Sequence, residues 1–83
     1  MINQIKQLAE KNGYETIFTH NGYCFQKNTG VSTIEIKVQS AGMITNWNNE
    51  SELLDQYRQA WLNIELLTIG EIYEYLKREQ MVD

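Results

Sequence analysis

The chain has 83 residues, a formal net charge of −4, no proline and one cysteine. That length makes a single domain, 1–83, with one modest core and no room for a deep enzyme cleft. The acidity argues against direct nucleic-acid binding, which draws its affinity from neutralised phosphates, and against an anionic membrane surface.

Residues 2–12 predict a short helix: Ile2, Ile5, Leu8 and Ala9 recur at helical spacing, and Asn12-Gly13 supplies a stop. Residues 14–47 predict an antiparallel meander. Tyr14 to His20 is rich in strand formers, and Asn21-Gly22 is a hairpin signal because a type I′ turn needs positive φ at both central residues. Tyr23 to Lys27 returns as a second strand, and Asn28-Thr29-Gly30 turns the chain again. Val31 to Gln39 alternates, with Ile34, Ile36 and Val38 on one face and Thr33, Glu35 and Lys37 on the other. After Ser40-Ala41-Gly42, the stretch Met43 to Trp47 can form a fourth strand.

Residues 50–80 read as helical. Asn48 to Glu52 offers N-caps and first-turn acids, and Leu53, Leu54, Tyr57, Ala60, Trp61 and Ile64 share a helical face. Thr68-Ile69-Gly70-Glu71 has the spacing of a capping box and opens a second helix with Ile69, Ile72, Tyr73 and Leu76 inward. Met81 to Asp83 is expected to fray. The expected fold is therefore α+β: an N-terminal helix, a three- to four-stranded antiparallel meander, and two C-terminal helices on one face.

No constellation for chemistry emerges. His20, the one histidine, lies beside a turn with no nucleophile or orienting partner named by the sequence. Cys24 falls mid-strand, where a thiol is a small core hydrophobe rather than an activated nucleophile. One cysteine forms no internal disulfide and suits a reducing cytoplasm. The N-terminus lacks the apolar core of a signal peptide, and no run approaches the ~18 apolar residues of a membrane span. The glycines match no phosphate-binding loop, and the carboxylates match no calcium loop. The expectation is a non-enzyme without cofactor or metal.

Charge is the one asymmetry. Residues 1–46 carry a net +1 and residues 47–83 a net −5. The candidate partner-binding residues are Glu50, Glu52, Asp55, Glu71 and Glu74, with Trp47 and Tyr75 as aromatic anchors; their reading as a solvated helix face stands beside it. Such a surface would meet a positively charged protein groove.

The order α-β-β-β-α is similar to the double-stranded RNA-binding domain, but that module needs basic residues where this chain has Asn49-Glu50-Ser51-Glu52. Ile2-Asn3 opening a short helix, the alternating Thr33-Ile34-Glu35-Ile36-Lys37-Val38, the Gly42 turn and Asn49-Glu50-Ser51 before a helix run through nearly the whole chain in order. In these features it resembles the small acidic anti-CRISPR proteins of phages. The resemblance implies a helix, a three-stranded meander and two helices, and a protein that inhibits a single-protein RNA-guided nuclease by occupying its basic DNA-reading groove. This chain departs from that family in being less acidic and in carrying Asn-Gly turns where the family clusters carboxylates. The alternative is a homodimeric structural or regulatory module joined through a sheet face or edge.

Overall fold

The computed structural model describes residues 1–40, 42–51 and 54–83, and of these the side chains outside 49–51 and 54–57. The described chain is an α+β fold of α1 (Ile2–Lys11), β1 (Glu15–Phe18), β2 (Gly22–Asn28), β3 (Ser32–Gln39), β4 (Gly42–Ser51), β5 (Leu54–Asn63), a 3-10 turn (Ile64–Leu66) and α2 (Ile69–Arg78). The strands form one antiparallel sheet in chain order, β1-β2-β3-β4-β5.

The local signals set most of this. Helix α1 ends at Asn12, and Gly13 follows at φ +86, the left-handed conformation that only glycine adopts freely. Gly30 (φ +93) opens the β2–β3 hairpin, where its N–H is accepted by Asn28 Oδ1 at 2.8 Å. The capping box of α2 forms: Thr68 Oγ1 accepts from the Glu71 N–H at 3.2 Å, and Glu71 Oε1 accepts from the Thr68 N–H at 3.0 Å.

One side of the sheet holds the core. Phe25 on β2, Ile34, Ile36 and Val38 on β3, and Met43 on β4 are buried against Ile5 and Ala9 of α1 and Ile72 and Leu76 of α2. Burying roughly ten such side chains is the main stabilising term, at about 1.5–3 kcal/mol each before chain entropy is subtracted.

Three expectations are overturned. The first of the two C-terminal helices does not exist: residues 54–63 form β5, and the sheet has five strands, not three or four. The spacing of Ala60, Trp61 and Ile64 fits a helix, but the same segment fits a strand with Ala60 and Leu62 facing Thr45 and Met43. Pairing wins because β4 is ten residues long, and without β5 its outer edge would keep a row of unpaired backbone groups. The second concerns the first hairpin. Its loop is His20-Asn21, closed by the Thr19 N–H on Gly22 O at 3.0 Å, and neither loop residue has positive φ. Gly22 instead joins the ladder opposite Gln39, where a Cβ would lie 2.0 Å from the Val38 carbonyl oxygen.

The third is the C-terminus, which does not fray. Gln80 (φ +61) takes the left-handed position after α2. The Met81 N–H then returns to Leu76 O at 2.9 Å and the Gln80 N–H to Lys77 O at 3.0 Å, completing a Schellman cap. Met81 and Val82 are buried. The Tyr14 hydroxyl donates to Met81 O, the Tyr73 hydroxyl to Asp83 O at 2.7 Å, and the Asp83 N–H to Asn12 Oδ1 at 2.8 Å. These bonds tie the last residues to the far end of the chain.

Candidate interaction surface

Strand alternation assigns every described sheet residue to one of two faces. The helices cover the face of Phe25, Ile36 and Met43, and none of the core cluster lies on the other. That other face shows two rows running across all five strands. One is Ile17, Cys24, Lys37, Ile44 and Trp61; the next is Glu15, Gln26, Glu35, Asn46 and Gln59. Trp61 is 62% exposed and Ile17 40% exposed, both large apolar groups on an uncovered sheet. The Trp61 indole lies across Gly42, where a Cβ would come within 2.7 Å of Nε1. Gly42 is thus the residue that lets the ring come this close to the sheet.

Among the described side chains of this face Glu15, Glu35 and Lys37 are charged, amides such as Gln26, Asn46, Asn48 and Gln59 fill much of the rest, and the register adds the positions of Glu50 and Asp55 at its hairpin end. Glu35 is held in place: its Oε2 accepts from Gln26 Nε2 at 2.9 Å and from Cys24 Sγ at 3.5 Å. Lys37 is exposed and makes no ion pair among the described residues. Other cations sit against aromatic rings on the helical side. Arg58 lies 4.4 Å from the Trp47 ring, Lys27 5.6 Å from Tyr14, and Lys77 5.8 Å from Tyr73.

The expected partner-binding residues fall in several places. Glu50 and Asp55 occupy facing register positions at the closed end of the β4–β5 hairpin; their side chains, and Glu52 altogether, lie outside the described residues. Glu71 and Glu74 are exposed on α2, whose N-terminus follows the opposite end of β5. Asp55 and Asn63 are separated by about 26 Å of extended strand, so the acids do not sit together on a pair of helices. Trp47 is half-buried on the core side and stacked by Arg58, which also donates to Glu79 Oε2 at 2.8 Å. Tyr75 is half-buried, not off the packed face, with its hydroxyl 3.4 Å from the buried Thr45 Oγ1.

Two shallow cavities of about 220 Å³ each are present, smaller than the usual 300–1,000 Å³ of a ligand site. One lies between Thr45, Arg58, Ala60, Tyr75 and Met81, the other around His20, Tyr23 and Lys37. Burial pushes the Cys24 thiol pKa up, and the adjoining Glu35 carboxylate adds to the shift, the reverse of what an attacking thiolate needs. Among the described residues no three His, Cys, Asp or Glu side chains gather as a metal ion requires, and no helix is long and apolar enough to cross a membrane.

The residues that sequence reasoning missed are Ile17, Ile44 and Trp61. Helical spacing places Trp61 on an inward face, and it becomes an outward residue because 54–63 is a strand. The period-two alternation of Gln59, Trp61 and Asn63 against Ala60 and Leu62 was the available signal. No protein-family model, curated protein or solved structure matches the chain.

Proposed function

We propose that this protein is a non-catalytic binding module that docks a protein partner on the uncovered face of its sheet. The observation that supports this reading is the row of Ile17, Ile44 and Trp61 on a face that neither helix covers. An exposed tryptophan seated against a glycine has the area and amphipathic character of a binding anchor. Exposed aromatic and aliphatic groups in one row are also the composition of an interface centre rather than of ordinary solvated surface. The test is affinity capture from the cells that carry the gene, comparing the wild-type chain with Trp61→Lys. Proteins retained by the wild type and lost by the variant support the reading; identical capture by both ends it.

Inhibition of an RNA-guided nuclease is the second reading. It is favoured by Glu71 and Glu74, which are exposed on α2 and form no ion pair among the described residues. Here the carboxylates would take the place of DNA phosphates in a basic groove. DNA cleavage by a single-protein RNA-guided nuclease should fall when the chain is added and recover with Glu71→Lys and Glu74→Lys combined. Undiminished cleavage with the wild-type chain in excess removes this reading.

A further inference from the structure

We propose that the outer edge of β5 receives an extended peptide segment of another protein, added antiparallel as a sixth strand, with one apolar side chain in the cavity beside Ala60. The edge is a different surface from the docking face, and the proposal goes beyond that reading.

The ladder determines which backbone groups are open. The Thr19 N–H donates to Gly22 O and the Thr29 N–H to Ser32 O. In an antiparallel sheet successive residues bond alternately to one neighbouring strand and the other. Carried through the registers, this alternation turns Arg58, Ala60 and Leu62 toward Trp47, Thr45 and Met43. It leaves the N–H and C=O groups of Asp55, Tyr57, Gln59, Trp61 and Asn63 pointing away from the sheet. Among the described residues no backbone–backbone bond closes that side. β5 thus supplies the partner that β4 needs and takes over the open edge.

Sheets blunt such edges with short strands, proline, lysine, bulges or a covering segment. β1, the other edge, has four residues. β5 has ten, contains no proline or lysine, and pairs with β4 without a bulge. Its charges are Asp55, at the hairpin end, and Arg58, drawn back over Trp47 of β4. A long row of alternating donors and acceptors is what an extended backbone complements.

The cavity between β5 and α2 adds a side-chain preference. It holds about 220 Å³, room for one side chain, and is lined by Thr45, Arg58, Ala60, Tyr75, Glu79 and Met81. Gln59, whose side chain belongs to the other face, also borders it, so the cavity reaches the backbone of β5. An incoming residue opposite Ala60 has its side chain on the core side, where it leans over the small alanine into this space. The polar groups there are already engaged: Arg58 donates to Glu79 Oε2 at 2.8 Å, and the Thr45 and Tyr75 hydroxyls lie 3.4 Å apart. An aliphatic or aromatic side chain therefore suits the cavity, and a charged one would lose water without gaining a partner. On the other face, the residue opposite Trp61 forms a cross-strand pair with it, which favours an aromatic or β-branched side chain. The chain's net −4 disfavours an acidic segment.

Random segments as long as β5, displayed on phage and selected on the immobilised full chain, supply the probe. The synthetic peptide of the most enriched clone should bind with a Kd in the micromolar range. Amide exchange followed by NMR reads the geometry. In the free chain Gln59 and Trp61 should exchange freely while Ala60 and Leu62 are protected; with the peptide bound, Gln59 and Trp61 should slow about tenfold or more. Ala60→Leu fills the cavity, and Gln59→Pro removes an outward N–H while sparing the bonds to β4; each should weaken binding about tenfold or more. Circular dichroism separates loss of binding from loss of fold, and exchange on the wild-type chain carries the test if either variant unfolds. A selection that enriches no sequence, or a peptide that binds without slowing Gln59 and Trp61, overturns the inference. So does protection of Gln59 and Trp61 in the free chain that disappears on dilution, because the edge is then held by a second copy.

Discussion

Removing one oxygen atom at Tyr14 should uncouple the two ends of the chain. Tyr14 is 5% exposed, and its hydroxyl donates to the carbonyl of Met81, itself 3% exposed. Tyr14→Phe keeps the ring, so no cavity opens and the loss is confined to the hydrogen bond and to the buried carbonyl left behind. That costs about 1–3 kcal/mol. A domain of this length has roughly 4–12 kcal/mol in total, and the midpoint of thermal unfolding should fall by about 4–24 °C. Burial also raises the Tyr14 pKa well above the usual phenol value of 10.0. Above pH ~10 the unfolded chain therefore ionises this tyrosine while the folded chain keeps it protonated. Stability is complete below pH ~10 and is lost as pH rises toward the folded value, by up to about 1.4 kcal/mol per pH unit. Tyr14→Phe has no such slope, and the other titrating groups are common to both proteins. Urea unfolding followed by tryptophan fluorescence, at neutral pH and at steps above pH ~10, gives both quantities. Equal stability at neutral pH, or parallel loss above pH ~10, would refute the reasoning.

The other predictions concern single backbone positions. Gly22→Ala should cost more than about 2 kcal/mol, because the new Cβ meets the Val38 carbonyl of the neighbouring strand and the ladder must shift. Gly42→Ala meets only the exposed Trp61 indole, which can swing away; denaturation should show a loss of about 1 kcal/mol or less, with altered tryptophan emission. Gln80→Gly should stabilise by about 0.5–1 kcal/mol in the same assay, since Gln80 holds a left-handed φ of +61 that glycine adopts without strain. Thr68→Ala removes the N-cap acceptor of α2 and should cost about 1 kcal/mol, with a smaller helical circular dichroism signal.

What the sequence made legible was local. The stop at Asn12-Gly13, the alternation of β3 and the Thr68–Glu71 box each involve residues within a few positions of one another, and each holds in the fold. What it hid was non-local. Residues 54–63 satisfy both a helical and an alternating pattern, and the choice is made by β4, whose edge needs a partner. Met81 to Asp83 read as a loose end because their partners, Tyr14 and Asn12, lie 67 and 71 residues away. Of the candidate site, Trp61 reads from the sequence as a packed helix residue. Its alignment with Ile44, Lys37, Cys24 and Ile17 depends on four successive registers, and one slipped residue in any of them would send part of the row to the core side.

The replacement of a helix by β5 also changes what the acidity can do. In a helix over 50–66, Glu50, Glu52 and Asp55 would stand near the acids of the following helix and add to one negative field. Antiparallel pairing of β4 and β5 instead leaves Glu50 and Asp55 at one end of a molecule 37 Å long, while Glu71 and Glu74 follow the other end. Charges separated by more than the Debye length of about 8–10 Å are screened from one another at physiological salt. A partner at either end therefore meets two or three carboxylates rather than the full −5 of the C-terminal half. Long-range steering weakens accordingly, and close contact has to supply the affinity. The uncovered sheet is where close contact is on offer: it is broad and exposes Trp61.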